Sequence, residues 1–197
     1  MEQIKISIKQ KDYEGSHNKY FKSQIVDRND LENFFKSNNY SLITWKIDNK
    51  KKDKEYNRGR EDATFESASG LVVDIDENQS IKKAQELLEE KEYNYLIITS
   101  RNHQKDTMKK GEFSPAQDRY HIVLFFNRDV TDPDEYSSVY SFISKLFPDL
   151  DSSCKSRDRF LFGSPEDAEY YSWFEGKDID VDAIESEHSD FLNTPIA

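Results

Sequence analysis

The sequence predicts an α+β (mixed α/β) fold, a mixed sheet with helices packed on it. Three features carry that expectation. Short apolar segments of strand character recur, as in Gly70 to Ile75, Tyr95 to Thr99 and Tyr120 to Phe126. Between them lie stretches with apolar residues at helical spacing. No internal repeat or Pro-rich linker divides the chain, so one layered unit is expected.

Taken in order, Ile4-Lys5-Ile6-Ser7-Ile8 alternates and reads as a strand. Asp30 is positioned to cap a short helix through Leu31, Phe34 and Phe35, with a strand near Ser41–Trp45 after it. Asn49 to Arg60 is dense in charge and reads as a loop. Gly70 to Asp76 reads as a buried strand ending in acids, and Ser80 to Glu92 places Ile81, Ala84, Leu87 and Leu88 on one helical face. With Tyr95–Thr99 this makes a strand–helix–strand unit, which favours a parallel pair joined by a right-handed crossover. A polar loop from Ser100 to Asp118 is long enough to suggest function. Tyr120–Phe126 follows as a strand. Asp132 or Asp134 then opens a helix carrying Tyr136, Val139, Tyr140, Ile143 and Phe147, and Arg159–Gly163 reads as a late strand.

Composition narrows the class. At 197 residues the chain can bury a core without staples, and its 13 Phe and 11 Tyr offset a low mean hydropathy of -0.93. A single cysteine, Cys154, excludes a disulfide framework and a cysteine-rich zinc site. The four histidines show no zinc-ligand spacing. No apolar leader or membrane-length run is present, so a cytoplasmic protein without a membrane partner is expected. The net charge of -11 argues against a general nucleic-acid coat, yet it is uneven. Residues 1–60 hold 14 Lys/Arg against 9 Asp/Glu, whereas residues 161–197 hold 1 against 10. A basic, aromatic-rich N-terminal half is compatible with template contact, and equally with an ordinary core and solvated surface.

The chemistry-bearing pattern is Asp74-Ile75-Asp76. Two carboxylates two residues apart on a strand project to one face and form a hard oxygen site suited to Mg²⁺ or Mn²⁺. Two-metal phosphoryl-transfer sites need such donors. The plain alternative is a capped turn before the next helix. Asp149 or Asp151 could bring a third carboxylate to the same edge. Arg119 and His121 stand two apart at the start of a strand and together suit a triphosphate, although a lone strand histidine is more often structural. Ser100, Arg101 and His103 offer a hydroxyl and cations at the start of the polar loop.

In this order, these segments resemble the archaeo-eukaryotic primase superfamily, in particular its primase-polymerase branch of plasmids, phages and CRISPR-associated proteins. Its first motif is similar to Val72-Val73-Asp74-Ile75-Asp76. A Ser-x-x-His-Gln stretch is similar to Ser100 to Gln104, its second motif to Asp118 to Leu124, and its third to Asp151 to Lys155 continuing through Arg159 to Ser164. The resemblance implies an RRM-like catalytic sheet with an N-terminal α/β unit: residues 1–69, a motif-bearing core at 70–164, and an acidic segment at 165–197. It also implies a chain excised from a longer replication or CRISPR-associated protein.

Carried over residue by residue, the resemblance gives Asp74, Asp76 and Asp151 to two Mg²⁺ or Mn²⁺ ions, and His121 to the phosphates of the incoming nucleotide. Ser100, Arg101, His103, Arg119, Lys155 and Arg159 become nucleotide or template contacts. The implied reaction is template-dependent joining of dNTPs or NTPs on single-stranded or primed DNA, with pyrophosphate leaving. The motif departs from many relatives in having Arg119, not a small residue, two before His121. Two other readings use the same residues. A metal-dependent nuclease would need similar carboxylates, but no lysine follows Asp76 at the usual sheet-nuclease spacing. A catalytically silent DNA-binding module would not need the acids.

Overall fold

Period-two alternation in the first segment becomes strand β1 (Gln3–Gln10), which buries Ile4 and Ile6. It pairs antiparallel with β2 (Lys22–Asp27) and β3 (Asn38–Ser41), giving a three-stranded sheet of order β2-β1-β3. The computed structural model describes residues 2–11, 21–46, 64–147 and 159–184. The expected loop at 49–60, residues 185–197 of the acidic C-terminal segment, and Asp149, Asp151, Cys154 and Lys155 lie outside the described residues.

Helix α1 (Leu31–Ser37) forms where expected and buries Leu31 and Phe35. Its capping differs from the reading. Asp30 makes no side-chain cap bond, because a 3-10 turn precedes the helix and Asp27 caps that turn by accepting from Asn29 N. The single strand expected near 41–45 is two strands in two sheets. The chain leaves β3 at Ser41 and enters β4 (Ile43–Trp45), which belongs to the second sheet.

That second sheet has order β10-β6-β9-β5-β4, from β4, β5 (Phe65–Ile75), β6 (Tyr95–Thr99), β9 (Tyr120–Val130) and β10 (Tyr170–Trp173). All pairings between its named strands are antiparallel, so the expected mixed sheet is antiparallel throughout these strands. Strands β5 and β6 do run the same way, joined by helix α2 (Ile81–Glu90), but they do not pair with each other. β9 lies between them, antiparallel to both, which is the split βαβ arrangement. Ser80 caps α2 by accepting from Lys83 N, and the face bearing Ile81, Ala84 and Leu88 is buried. Asp132 caps α3 (Pro133–Ser144) through Asp134 N and Glu135 N, which settles the choice between Asp132 and Asp134.

Alternation sorts the central strands onto two cores. Tyr95, Ile97, Tyr120, Ile122, Leu124 and Phe126 face α2 and α3, with Leu71, Val73 and Ile75 beside them. Leu96, Ile98, Val123 and Phe125 face the opposite way and pack with Ile4, Ile6, Leu31, Phe35 and Tyr40 of the N-terminal unit. Each fully buried Leu, Ile or Phe contributes about 1.5–3 kcal/mol, so the N-terminal unit is firmly seated on the sheet. Arg28 adds a bidentate pair to Asp178, at 2.9 and 2.6 Å, and lies over the Phe125 ring. Gly70 permits the close approach of β5 to β9 at a bulge, since a Cβ there would lie 2.2 Å from the Leu124 carbonyl oxygen.

Two expectations change. Arg159–Gly163 is not a strand: Leu161 makes a single bridge to Tyr40, and side chains replace the remaining ladder bonds. Asn39 Oδ1 accepts from Gly163 N, and Ser41 Oγ donates to the Arg159 carbonyl. The polar loop at 100–118 contains a hairpin, β7 (Thr107–Lys109) and β8 (Glu112–Ser114). No helix among the described residues is long and apolar enough to cross a membrane.

Candidate functional site

The acids and the histidine meet because β9 is inserted beside β5. The pairing register sets Asp74 directly opposite His121, two neighbours on the sheet face turned away from α2 and α3. Asp74 Oδ1 is 3.7 Å from His121 Nε2. Asp76 lies one residue past the end of β5, and its charge acts on the His121 ring. Arg159 comes to the same carboxylate from the far end of the chain, with Nη2 3.3 Å from Asp74 Oδ2. The Leu161–Tyr40 bridge and the Ser41 bond hold it there. The structure therefore brings together Asp74, Asp76, His121 and Arg159 of the expected set.

His121 is 5% exposed. Burial drives its pKa down from 6.5 to about 3, because the neutral ring is the form a desolvated site tolerates. Asp76 pulls it up and Arg159 pushes it further down. The imidazole is thus neutral at physiological pH and carries one N–H. Its place is set by Tyr40, whose hydroxyl lies 2.7 Å from Nδ1. Burial and the charge of Asp74 hold the Tyr40 phenol well above its ordinary value, so it keeps its proton. A Tyr40 O–H donated to Nδ1 corresponds to the tautomer with the ring proton on Nε2, toward Asp74. Phe35 stacks on Tyr40 at 3.7 Å between ring centroids and fixes that ring in turn. The sequence carries no local signal for Tyr40, which is one buried aromatic among many until β3 and β9 meet.

The loop residues make contacts of their own. Arg119 is 3% exposed, and its guanidinium donates to the carbonyls of Asn102, Lys105 and Pro115 and to Ser114 Oγ. It anchors the loop, where the sequence suggested a phosphate contact. His103 Nδ1 accepts from Arg119 N, and its Nε2 is 3.9 Å from Glu169. Ser100 Oγ accepts from Asn102 N at 3.4 Å, and exposed Arg101 lies over the Phe162 ring. Gln104 and Ile81 N both bond to Asp118, which ties the loop to the start of α2. An open cleft of about 170 Å³ lies between the β7–β8 hairpin and Asp76, bordered by Glu77, Thr107, Met108 and Arg119.

The donors present are carboxylate oxygens, which suit a hard divalent cation and not a thiol-seeking one. Among the described residues, no group of three or more His, Cys, Asp and Glu side chains is gathered for a metal ion. Asp74 and Asp76 supply two carboxylates, and the third expected ligand, Asp151, is outside the described residues.

No family model matches the sequence. A search of curated proteins finds no match. Among solved structures, the chain is similar to the AEP domain of the cyanophage S-2L primase-polymerase (PrimPol). The two are 12% identical over 92% of this chain and 86% of that one, with a TM-score of 0.46.

Proposed function

We propose that the chain is a template-dependent nucleotidyltransferase, a DNA primase-polymerase, acting at the Asp74–His121 edge of the five-stranded sheet. The observation that carries this reading is the cross-strand pair itself: a carboxylate opposite a buried, neutral histidine, with a guanidinium on the carboxylate's other oxygen. A general capping turn needs none of these three together.

Asp74 and Asp76 would hold Mg²⁺ or Mn²⁺, with Asp151 as the third ligand the sequence suggests, and the ion would supply charge neutralisation for an oxygen approaching a polyphosphate. His121 offers its Nε2–H to a phosphate oxygen of the incoming nucleotide. Being neutral, it positions that group without competing with the cations for the carboxylates. Arg159 stands at Asp74 ready to exchange that contact for the phosphates as they arrive. In the reaction, the oxygen of a primer 3′-hydroxyl or of a first nucleotide bonds to the α-phosphorus. The bond from the α-phosphorus to the bridging oxygen breaks, pyrophosphate leaves, and the hydroxyl proton passes to solvent. Catalysis is by positioning and charge neutralisation.

The test is incorporation of labelled nucleotides on single-stranded and primed DNA with Mg²⁺ or Mn²⁺, beside a chain carrying Asp74→Ala and Asp76→Ala. Product lost in the double variant supports the reading, and product without a supplied primer extends it to priming. A wild-type chain that binds DNA but makes no product with either metal overturns it in favour of a silent binding module. Strand cleavage in place of extension would favour a nuclease.

A further inference from the structure

The β7–β8 hairpin is a built element whose exposed side chains the site described above does not use. Its two-residue turn, Lys110-Gly111, has φ of 52° and 86°, the primed geometry that matches the twist of paired strands. Below the turn the hairpin is held fast. Arg119 clamps Ser114 and Pro115, Asp106 Oδ1 accepts from Ala116 N, and Gln104 N donates to the Gln117 carbonyl. On this rigid arm, Met108 and Phe113 are directly opposite each other, so their side chains share one face. They are 68% and 65% exposed, and with Ile25 they are the exposed large hydrophobics of the described residues. Met108 also borders the cleft that ends on Asp76.

We propose that the Met108–Phe113 face is a stacking arm for the bases of single-stranded nucleic acid entering that cleft. The proposal rests on the nucleotidyltransferase reading for its choice of ligand. Charge supports it. The net charge of -11 disfavours a grip on the phosphate backbone alone, so a contact to the bases is the mode of strand binding it opposes least. Lys110 at the arm's tip and Arg101 at its base are exposed cations that can accompany the backbone while the bases lie on Phe113. Two apolar side chains placed opposite each other on a polar loop otherwise forfeit the burial they would gain in the core.

The full chain, in chelator and without nucleotide, is titrated by fluorescence anisotropy against a single-stranded oligonucleotide and an abasic strand of equal length. The wild type is expected to bind the base-bearing strand about tenfold more tightly than the abasic one. Phe113→Ala with Met108→Ala removes that preference at an unchanged thermal midpoint, and Phe113→Trp keeps it. Equal binding of the two strands by the wild type overturns the proposal, as does an undiminished preference in the double variant. So does a dimer in sedimentation that the double variant dissolves without change in strand binding, which would make the face a self-association surface. The incorporation assay separates the two readings. A Phe113-dependent base preference without product keeps the arm and loses the polymerase, while product without that preference does the reverse.

Discussion

The Tyr40 hydroxyl lies 2.7 Å from His121 Nδ1, between residues 81 apart in sequence. That bond joins the N-terminal sheet to the central strand of the catalytic candidate. It also decides which imidazole nitrogen faces Asp74.

Tyr40→Phe keeps the ring that stacks on Phe35 and removes only the hydroxyl. His121 Nδ1 then loses its donor. Incorporation is expected to fall about tenfold, the usual scale for removing a group that orients a site histidine. A tautomer shift should be visible in the ring-nitrogen NMR signals of His121. Full activity with an unchanged nitrogen spectrum would show that Tyr40 does not set the ring.

Gly70→Ala would push a Cβ to within 2.2 Å of the Leu124 carbonyl oxygen and 2.5 Å of a Leu42 methyl. The first contact is backbone and cannot rotate away. A loss of about 1–3 kcal/mol is expected, read as a lowered urea midpoint. Activity should fall further than stability, because β5 would part from β9 four residues before the Asp74–His121 pair.

Arg119→Ala removes the four hydrogen bonds that hold the 100–118 loop. Limited proteolysis should cut that loop faster, and stability should drop by about 1–3 kcal/mol as these part-buried acceptors lose their donor. If cleavage is unchanged and only the KM for nucleotide rises, Arg119 touches phosphate after all.

Asp178 gives a pH signature. Burial pushes its carboxyl up, but hydrogen bonds from Arg28 and Asn94 and the Arg28 charge outweigh burial and hold it below the ordinary 3.8. A depressed carboxyl stabilises the fold above its unfolded value, and that contribution fades as pH falls through the folded one. Asp178→Asn should therefore destabilise the chain at neutral pH, by leaving Arg28 without its charged partner. The gap to wild type should close below about pH 3.8. Urea midpoints across pH 2.5 to 7 would check it, and a constant gap would contradict it.

Local pattern wrote much of the framework. Alternation in β1, the short apolar runs of β6 and β9 and the apolar stripe of α2 are visible because they are patterns of consecutive residues. Ser80 and Asp132 mark helix starts for the same reason: a cap bonds within its own turn. The Asp74-Ile75-Asp76 signal was likewise legible, being two residues apart. Strand β10 and the hairpin were not, since strands of three or four residues are too short to show a period.

By itself, then, the sequence determined where the main strands and helices lie, which face of α2 is apolar and which acids end a strand. Tertiary structure alone decided that β9 slides between β5 and β6 and so sets His121 against Asp74. It alone placed Tyr40 behind the ring, delivered Arg159 from a segment held by one bridge, and spent Arg119 on its own loop. The physical reason is range. Side-chain periodicity is fixed by the backbone geometry of neighbours, whereas strand order, register and hydrogen-bond partners are chosen among distant segments by the burial and pairing of the whole chain.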